Sequence, residues 1–140
     1  MTNTLKFDAL QVGDKLPTFE PAPVSRLALA LYCGASGDHN PIHVDIDFAR
    51  ASGLPDVIAH GMLSMAWLGQ VLTQWAPQTA LRQYSVRFAA MTTVGECIRC
   101  SGTVLEKLER HGEHLARVEL VAANQDGVVK LTGEALVALS

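Results

Sequence analysis

Charge is sparse in this sequence, and it is nearly balanced. Charged residues make up 18% of the 140 positions, and the formal net charge is −3. No basic stripe runs along the chain, so the composition predicts binding neither to nucleic acid nor to an anionic membrane. Cysteine is also scarce, and three cysteines, an odd number, argue against the disulfide framework of a small secreted protein. These features predict a cytoplasmic protein with reduced thiols.

The sequence also lacks a long, uninterrupted hydrophobic run. Its first residues contain no continuous apolar segment, which predicts that no signal peptide is present. The most apolar segment, residues 62–75, is interrupted by polar side chains at Ser64, Gln70, Thr73 and Gln74. It therefore predicts a buried helix rather than a membrane span.

Hydrophobic residues make up 49% of the chain, which is enough for a sizeable core in one domain over residues 1–140. Residues 23–37 predict a helix that is capped by Ser25 and ended by glycine. Residues 45–53 predict a short helix. Residues 61–75 predict a long helix that is apolar on nearly every side and should therefore be buried on nearly every side.

After residue 80 the hydrophobic period changes from helical to alternating. Alternation predicts strands at residues 81–90, 96–105, 115–123 and 128–139. Each strand has one dry face and one wet face, and Lys130 falls on a wet face. A run of antiparallel strands with separate helices is an α+β architecture. If the sheet curves around the apolar helix, the result is a hot-dog fold, to which residues 8–19 can add a further strand.

Ionisable chemistry is concentrated in one stretch, GASGDHNPIHVD, at positions 34–45. Glycine, aspartate, asparagine and proline are ordinary turn residues. A turn alone does not account for His43, which stands between two apolar residues. A metal site is a second interpretation, but the spacing of its candidate ligands is poor, because the one pair four residues apart, His39 and His43, lies in the turn and not on a helix. Those candidates are Asp38, His39, His43, Asp45 and His60.

The third interpretation is an acid/base pair. Asp38 and His43 are five residues apart across a rigid turn, so they can face one small volume and hold one water molecule. Gly61 begins the apolar helix, where backbone N–H groups lack partners and the helix dipole favours an anion. Together, an acid/base pair and a helix N-terminus form an oxyanion-type site.

These motifs closely resemble those of the MaoC-like (R)-specific enoyl-thioester hydratases, also called hydratase 2. The matching segments are ASGDHNPIHVD and GLPDVIAHGML, and VGDKLP and YSVRFAAMTTVGE extend the match over nearly the whole chain. The resemblance implies a hot-dog fold. It also implies reversible hydration of trans-2-enoyl thioesters of coenzyme A or acyl carrier protein to (R)-3-hydroxyacyl thioesters, with no cofactor or metal.

Carried over by position, Asp38 and His43 are the implied catalytic pair. The implied substrate-binding residues are Gly61, Asn40, His60 and Ser64. Among these, Gly61 offers its N–H to the thioester carbonyl. The chain departs from the family at one place: several members carry a serine where Gly69 stands here, and Ser64, about one turn earlier, is a candidate to take its place.

The resemblance further implies a homodimer or a heterodimer with a related hot-dog chain, with the active site near the subunit interface. Two other functions are compatible with the same fold. An acyl thioesterase would hydrolyse the thioester, and a non-catalytic acyl-binding subunit would hold the acyl chain for a partner. The presence of both Asp38 and His43 argues against each of these alternatives.

Overall fold

The computed structural model describes residues 5–140. Its elements, in chain order, are α1 (Arg26–Ser36), α2 (Ile46–Ala51), α3 (Gly61–Trp75), β1 (Leu81–Phe88), β2 (Arg99–Arg110), β3 (Glu113–Ala123) and β4 (Val129–Leu139). The three predicted helices and four predicted strands are therefore present. In this part of the chain, no helix is both long enough and apolar enough to cross a membrane.

The four strands form one antiparallel sheet in the order β1-β4-β3-β2. β2 and β3 form a hairpin, and its turn residues His111 and Gly112 have φ values of 53° and 77°. Positive φ at both positions suits the twist of a tight hairpin. β1 pairs with β4, which places Tyr84 opposite Ala135 and Phe88 opposite Leu131.

Helix α3 packs against β1, β2 and β3 and supplies much of the core through Leu68, Val71 and Leu72. This helix within a curved antiparallel sheet is the hot-dog fold that the sequence predicts. The expectation that α3 is buried on nearly every side is wrong, because Met62 and Gln70 lie on an exposed stripe. The sheet covers only part of the helix surface, and small or polar side chains occupy much of the rest.

The further strand expected at residues 8–19 does not form. This segment follows the outer edge of β2 and makes only isolated bridges, Lys15 with Thr103 and Phe19 with Cys100. Pro17 lies between them and has no N–H to donate, which interrupts a continuous ladder.

Candidate active site

Local hydrogen bonds shape the loop that carries Asp38 and His43. Helix α1 ends at Gly37, whose φ of 78° lies in the left-handed region that glycine adopts easily. Asn40 Oδ1 accepts a hydrogen bond from the backbone N–H two residues later (3.1 Å) and so caps the short 3-10 turn Pro41–His43. The Asn40 N–H donates in turn to Asp38 Oδ1 (3.2 Å). The turn therefore brings the aspartate and the histidine face to face.

The orientation of the His43 ring determines which nitrogen faces Asp38. His43 Nδ1 lies 2.7 Å from the carbonyl oxygen of Ile58. Because a carbonyl oxygen can only accept, Nδ1 carries the proton. In the neutral ring Nε2 is then a bare acceptor, and it lies 3.7 Å from Asp38 Oδ2. The His43 side chain is 10% exposed and that of Asp38 is 53% exposed, so a largely buried base lies beside a solvent-accessible carboxylate.

The gap between His43 and Asp38 suits a water molecule. A distance of 3.7 Å is too long for a direct hydrogen bond, and two acceptors cannot bond to each other without a proton between them. A water molecule can donate one O–H to His43 Nε2 and the other to Asp38 Oδ2. Its oxygen then keeps its lone pairs for a third group, which is the geometry that a nucleophilic water requires.

His60 lies beneath this pair. It is 2% exposed, and its ring stacks on that of His43 with centroids 3.7 Å apart. His60 Nε2–H donates to the carbonyl oxygen of Asp38 (3.2 Å), and Cys33 Sγ lies 3.5 Å from the same nitrogen. Burial lowers the pKa of His60 below its usual range. His60 is absent from the residues that line the adjacent cleft, so its placement favours support of the pair over contact with substrate.

Three of the five candidate metal ligands do come together. Asp38, His43 and His60 each place a ligand atom within 4.8 Å of the others, because the fold brings His60 against the loop. However, the two imidazole planes are inclined by only 23° and are stacked. Imidazole lone pairs lie in the ring plane, so nearly parallel stacked rings do not point at one ion as a tetrahedral site requires. The arrangement suits proton transfer better than metal binding.

Gly61 begins α3 at the edge of the same site. In the described part of the chain, the preceding residue His60 makes no side-chain capping hydrogen bond. The Leu63 N–H donates to the His60 carbonyl oxygen (3.1 Å), and the helix dipole makes the N–H groups of Gly61 and Met62, which precede it, attractive to negative charge. The approach to Gly61 is held in place by the Ala59 N–H, which donates to Thr92 O (2.7 Å).

A cleft of about 330 Å³ joins these parts. Its walls include His43 beside the loop, Gly61 and Ser64 on α3, and the segment 89–92 that follows β1. Ser64 therefore lies on the wall of the cleft. Within residues 5–140, the Asp38 side chain contacts the Asn40 N–H and the His43 ring, and it makes no hydrogen bond with Ser64. Ser64 therefore does not position the aspartate directly.

A buried ion pair, which the sequence pattern does not predict, lies behind the cleft wall. Lys130 is 6% exposed, and its Nζ lies 2.8 Å from Glu96 Oε1 and donates to Met91 O (2.7 Å). Glu96 also accepts from Thr93 N–H (2.6 Å) and Asn124 Nδ2 (2.8 Å). Burial alone would raise the pKa of Glu96, but the hydrogen bonds from Lys130 and Asn124 outweigh it and leave that pKa lowered. The network anchors the segment that lines the cleft.

The expectation that Lys130 lies on a wet face is therefore wrong. Val129 pairs with Ala123 and Leu131 pairs with Ala122, so Lys130 is the extra residue of a β-bulge. A bulge breaks the alternation of faces along a strand, and here it turns a lysine inward. Strict alternation in the sequence gives no sign of this, because the bulge depends on the register with β3.

The fold and the site together define a hot-dog domain with a polar pair at the N-terminus of its central helix. The family model described as "MaoC like domain" matches residues 8–125. The chain belongs to this family of MaoC-like dehydratase domains, as the motifs indicate.

Individual relatives agree with this assignment. An R-hydratase from Pseudomonas aeruginosa, solved in the unliganded form, superposes with a TM-score of 0.84 at 28% identity, covering 97% of this chain and 86% of that one. The "3-hydroxyacyl-thioester dehydratase X" of Mycobacterium tuberculosis is 42% identical over 82 residues, which are 56% of this chain and 28% of the relative. A fatty acid synthase subunit beta of Saccharomyces cerevisiae is 36% identical over 107 residues, or 74% of this chain and 5% of the relative. The chain thus spans only a small part of these two curated relatives.

Proposed function

We propose that the protein adds water reversibly to trans-2-enoyl thioesters of coenzyme A or acyl carrier protein and yields (R)-3-hydroxyacyl thioesters. The observation that carries this proposal is the 3.7 Å approach of His43 Nε2 to Asp38 Oδ2, in a cleft whose wall also includes Gly61. The names of two relatives, an R-hydratase and a 3-hydroxyacyl-thioester dehydratase, support it.

In the proposed reaction, one water molecule lies between His43 Nε2 and Asp38 Oδ2. Its oxygen attacks the β-carbon of the conjugated thioester, while one of the two residues accepts a water proton. The electron pair of the double bond moves towards the thioester carbonyl and forms an enolate. The proton is then delivered to the α-carbon, so the pair ends the cycle as it began and the net change is addition of H and OH.

The enolate oxygen needs hydrogen-bond donors in place before the reaction begins. The N–H of Gly61 is suited to this role because it lies at the open start of α3 and on the cleft wall. Without a side chain, Gly61 lets the thioester carbonyl approach the backbone closely. Asn40 contributes indirectly, since its cap holds the turn that presents His43.

The two alternatives predict different products. A thioesterase of this fold would release free thiol and a fatty acid, and an acyl-binding subunit would bind the thioester without changing it. Neither requires a base and a carboxylate held apart at water-bridging distance. The Asp38–His43 geometry therefore favours hydration over both.

The test is an assay of the purified protein with crotonyl-CoA. Hydration removes the conjugated absorbance, and enzymes specific for (R)- or (S)-3-hydroxyacyl-CoA identify the configuration of the product. Release of free thiol from butyryl-CoA, measured in parallel, detects thioesterase activity. We expect loss of conjugation, an (R) product and no thiol release. Thiol release without hydration, or binding without either reaction, would replace this proposal by the corresponding alternative.

A further inference from the structure

Two glycines of α3 are each covered by an aromatic ring from β1. A Cβ added at Gly61 would lie 2.9 Å from Phe88 Cε1, and one added at Gly69 would lie 3.3 Å from Tyr84 Cε1. Eight helical residues span about 12 Å, and four strand residues span about 13 Å. β1 therefore runs alongside α3 in the opposite direction, with one aromatic contact near the helix start and the other two turns further in.

The outer contact lies at the mouth of the cleft. Phe88 is 53% exposed and lines the cleft together with Gly61 and Ser64. On the neighbouring strand, Leu131 pairs with Phe88 and lines the cleft as well. An acyl chain that enters beside His43 would pass between these two side chains, Phe88 and Leu131, and the first turn of α3.

The inner contact is tied down by a hydrogen bond. The Tyr84 hydroxyl donates to the carbonyl oxygen of Met65 (2.7 Å). Within α3, that carbonyl also accepts the N–H of Gly69, four residues later. The ring therefore lies across the second turn of the helix, over the position where Gly69 has no side chain. Burial raises the pKa of Tyr84, so the hydroxyl stays protonated and remains a donor.

The cleft ends before it reaches this ring. Within the described residues, its wall includes no position of α3 beyond Ser64 and no position of β1 before Phe88. Ser64 is three residues into the helix from Gly61, so the cleft follows α3 for only about 5 Å. Tyr84 and Gly69 lie where a longer channel between helix and sheet would continue.

We infer that Tyr84, seated on Gly69, closes the inner end of the cleft and restricts the protein to short acyl chains. This inference rests on the proposed function and adds the substrate class. It also accounts for the glycine that replaces the serine of several family members. A serine at position 69 would place its Cβ 3.3 Å from the Tyr84 ring, closer than most such contacts, so the ring and a larger residue at 69 compete for one space.

The test compares crotonyl-, trans-2-hexenoyl-, trans-2-octenoyl- and trans-2-decenoyl-CoA. For the wild-type protein we expect kcat/KM to fall by about tenfold or more from crotonyl-CoA to octenoyl-CoA, the scale on which apolar pockets discriminate by size. Tyr84→Ala opens the second turn and should recover most of that loss for octenoyl-CoA. Tyr84→Phe keeps the ring and is the matched control, and it should keep the short-chain preference.

Binding of butyryl-CoA and octanoyl-CoA, measured by calorimetry, examines the same cleft without turnover. We expect the wild-type protein to bind octanoyl-CoA no more tightly than butyryl-CoA, and Tyr84→Ala to bind it more tightly. A protein that hydrates no thioester but shows this binding preference contradicts the proposed function. It still supports the inference that Tyr84 closes the inner end of the cleft. If the wild-type protein prefers the longer chains, in hydration or in binding, then Tyr84 does not close the cleft. This outcome does not depend on whether Tyr84→Ala folds.

Discussion

The imidazole rings of His43 and His60 are stacked, with centroids 3.7 Å apart and planes inclined by 23°. His60 also donates from Nε2 to the carbonyl oxygen of Asp38 (3.2 Å), so one buried side chain contacts both members of the proposed pair. Its Nδ1 is buried and has no hydrogen-bond partner among the described residues. Burial lowers the pKa of His60 and so favours the neutral form of this ring.

Stability should therefore fall in acid through His60. Its pKa is lowered in the folded protein, while the unfolded chain has a value of about 6.5. As the pH falls below about 6.5, His60 takes up a proton more readily in the unfolded chain than in the folded protein. The free energy of unfolding therefore decreases as the pH falls below that value, and His60 costs no stability above it. We expect His60→Phe to lose less unfolding free energy than the wild type between about pH 7 and about pH 5.

Urea unfolding followed by circular dichroism at the two pH values measures this difference. His39→Phe is the matched control, because His39 is exposed and lies in the same loop as Asp38 and His43. It should keep the wild-type pH dependence. Equal acid sensitivity in the wild type and His60→Phe would show that His60 is not the group that titrates.

Substitution of either member of the pair should damage the same step. Asp38→Asn keeps the size of the side chain but removes its charge, and His43→Gln keeps a polar group without a useful base. Each should lower turnover of crotonyl-CoA by about 10²–10⁴, the range for positioned acid/base groups. The double variant should be little worse than the poorer single variant, since groups that act together are not additive.

Circular dichroism provides the folding control for these variants. If the loop were only a turn, Asp38→Asn would have almost no effect, because asparagine is also a favourable turn residue. An Asp38→Asn protein that keeps full turnover would therefore refute the catalytic assignment.

The strands and the helices could be predicted because their signals are local. Alternation along residues 81–139 needs only neighbouring positions, and the observed strands lie close to the predicted ones. The main difference is β2, which continues to Arg110 because its hairpin turn lies at His111 and Gly112. The loop that carries Asp38 and His43 could be recognised in the sequence for a similar reason, because its turn residues and its ionisable residues are contiguous.

Contacts that depend on tertiary register could not be predicted. Lys130 is turned inward by a bulge that exists only in the pairing of β4 with β3. The stack of His60 on His43 requires the start of α3 to return to the loop, and no spacing rule encodes that return. The placement of Tyr84 on Gly69 likewise depends on how β1 crosses the helix.

Gly61 should tolerate a side chain poorly. In Gly61→Val the Cβ would lie 2.9 Å from the Phe88 ring, and because Gly61 and Phe88 both line the cleft, the added side chain and the displaced ring would narrow the approach of the thioester carbonyl. We expect turnover of crotonyl-CoA to fall by about 10²-fold or more, as when an oxyanion-hole donor is lost. Gly61→Val/Phe88→Ala relieves the contact with the ring and should remain impaired. Recovery of activity in that double variant would attribute the defect to Phe88 rather than to the carbonyl site.

We expect a dimer in solution, formed with a second copy or with a related hot-dog chain. β1 lies at one end of the sheet order, and an unpaired edge strand is a template for another strand. The Asp38 side chain is about half exposed and the cleft beside it is open, so residues of a partner chain can complete the wall of the site. Sedimentation equilibrium of the active protein measures the mass. A fully active monomer at all concentrations would contradict this expectation.

The ion pair of Lys130 and Glu96 should matter for stability and for the cleft wall. Lys130→Met leaves the Glu96 carboxylate buried without its cation, and breaking a buried pair in this way costs about 3–5 kcal/mol of unfolding free energy. Lys130→Met/Glu96→Gln removes both charges and should be more stable than the sum of the single losses predicts. Because the Glu96 pKa is lowered in the folded protein, the stabilisation is present at neutral pH and is lost as the pH falls below the usual range of a glutamate.

A double-mutant cycle by urea denaturation measures this coupling, and Lys107→Met is the control for loss of a lysine elsewhere in the sheet. The cycle should show a coupling of about 1 kcal/mol or more, since the two residues share one network. The Lys130 variants also lose the hydrogen bond to Met91 O, so the segment that lines the cleft is released at one anchor. We therefore expect a higher KM for crotonyl-CoA in the Lys130 variants, with a smaller change in kcat. Additive stability losses together with an unchanged KM would mean that the pair neither couples nor positions the wall.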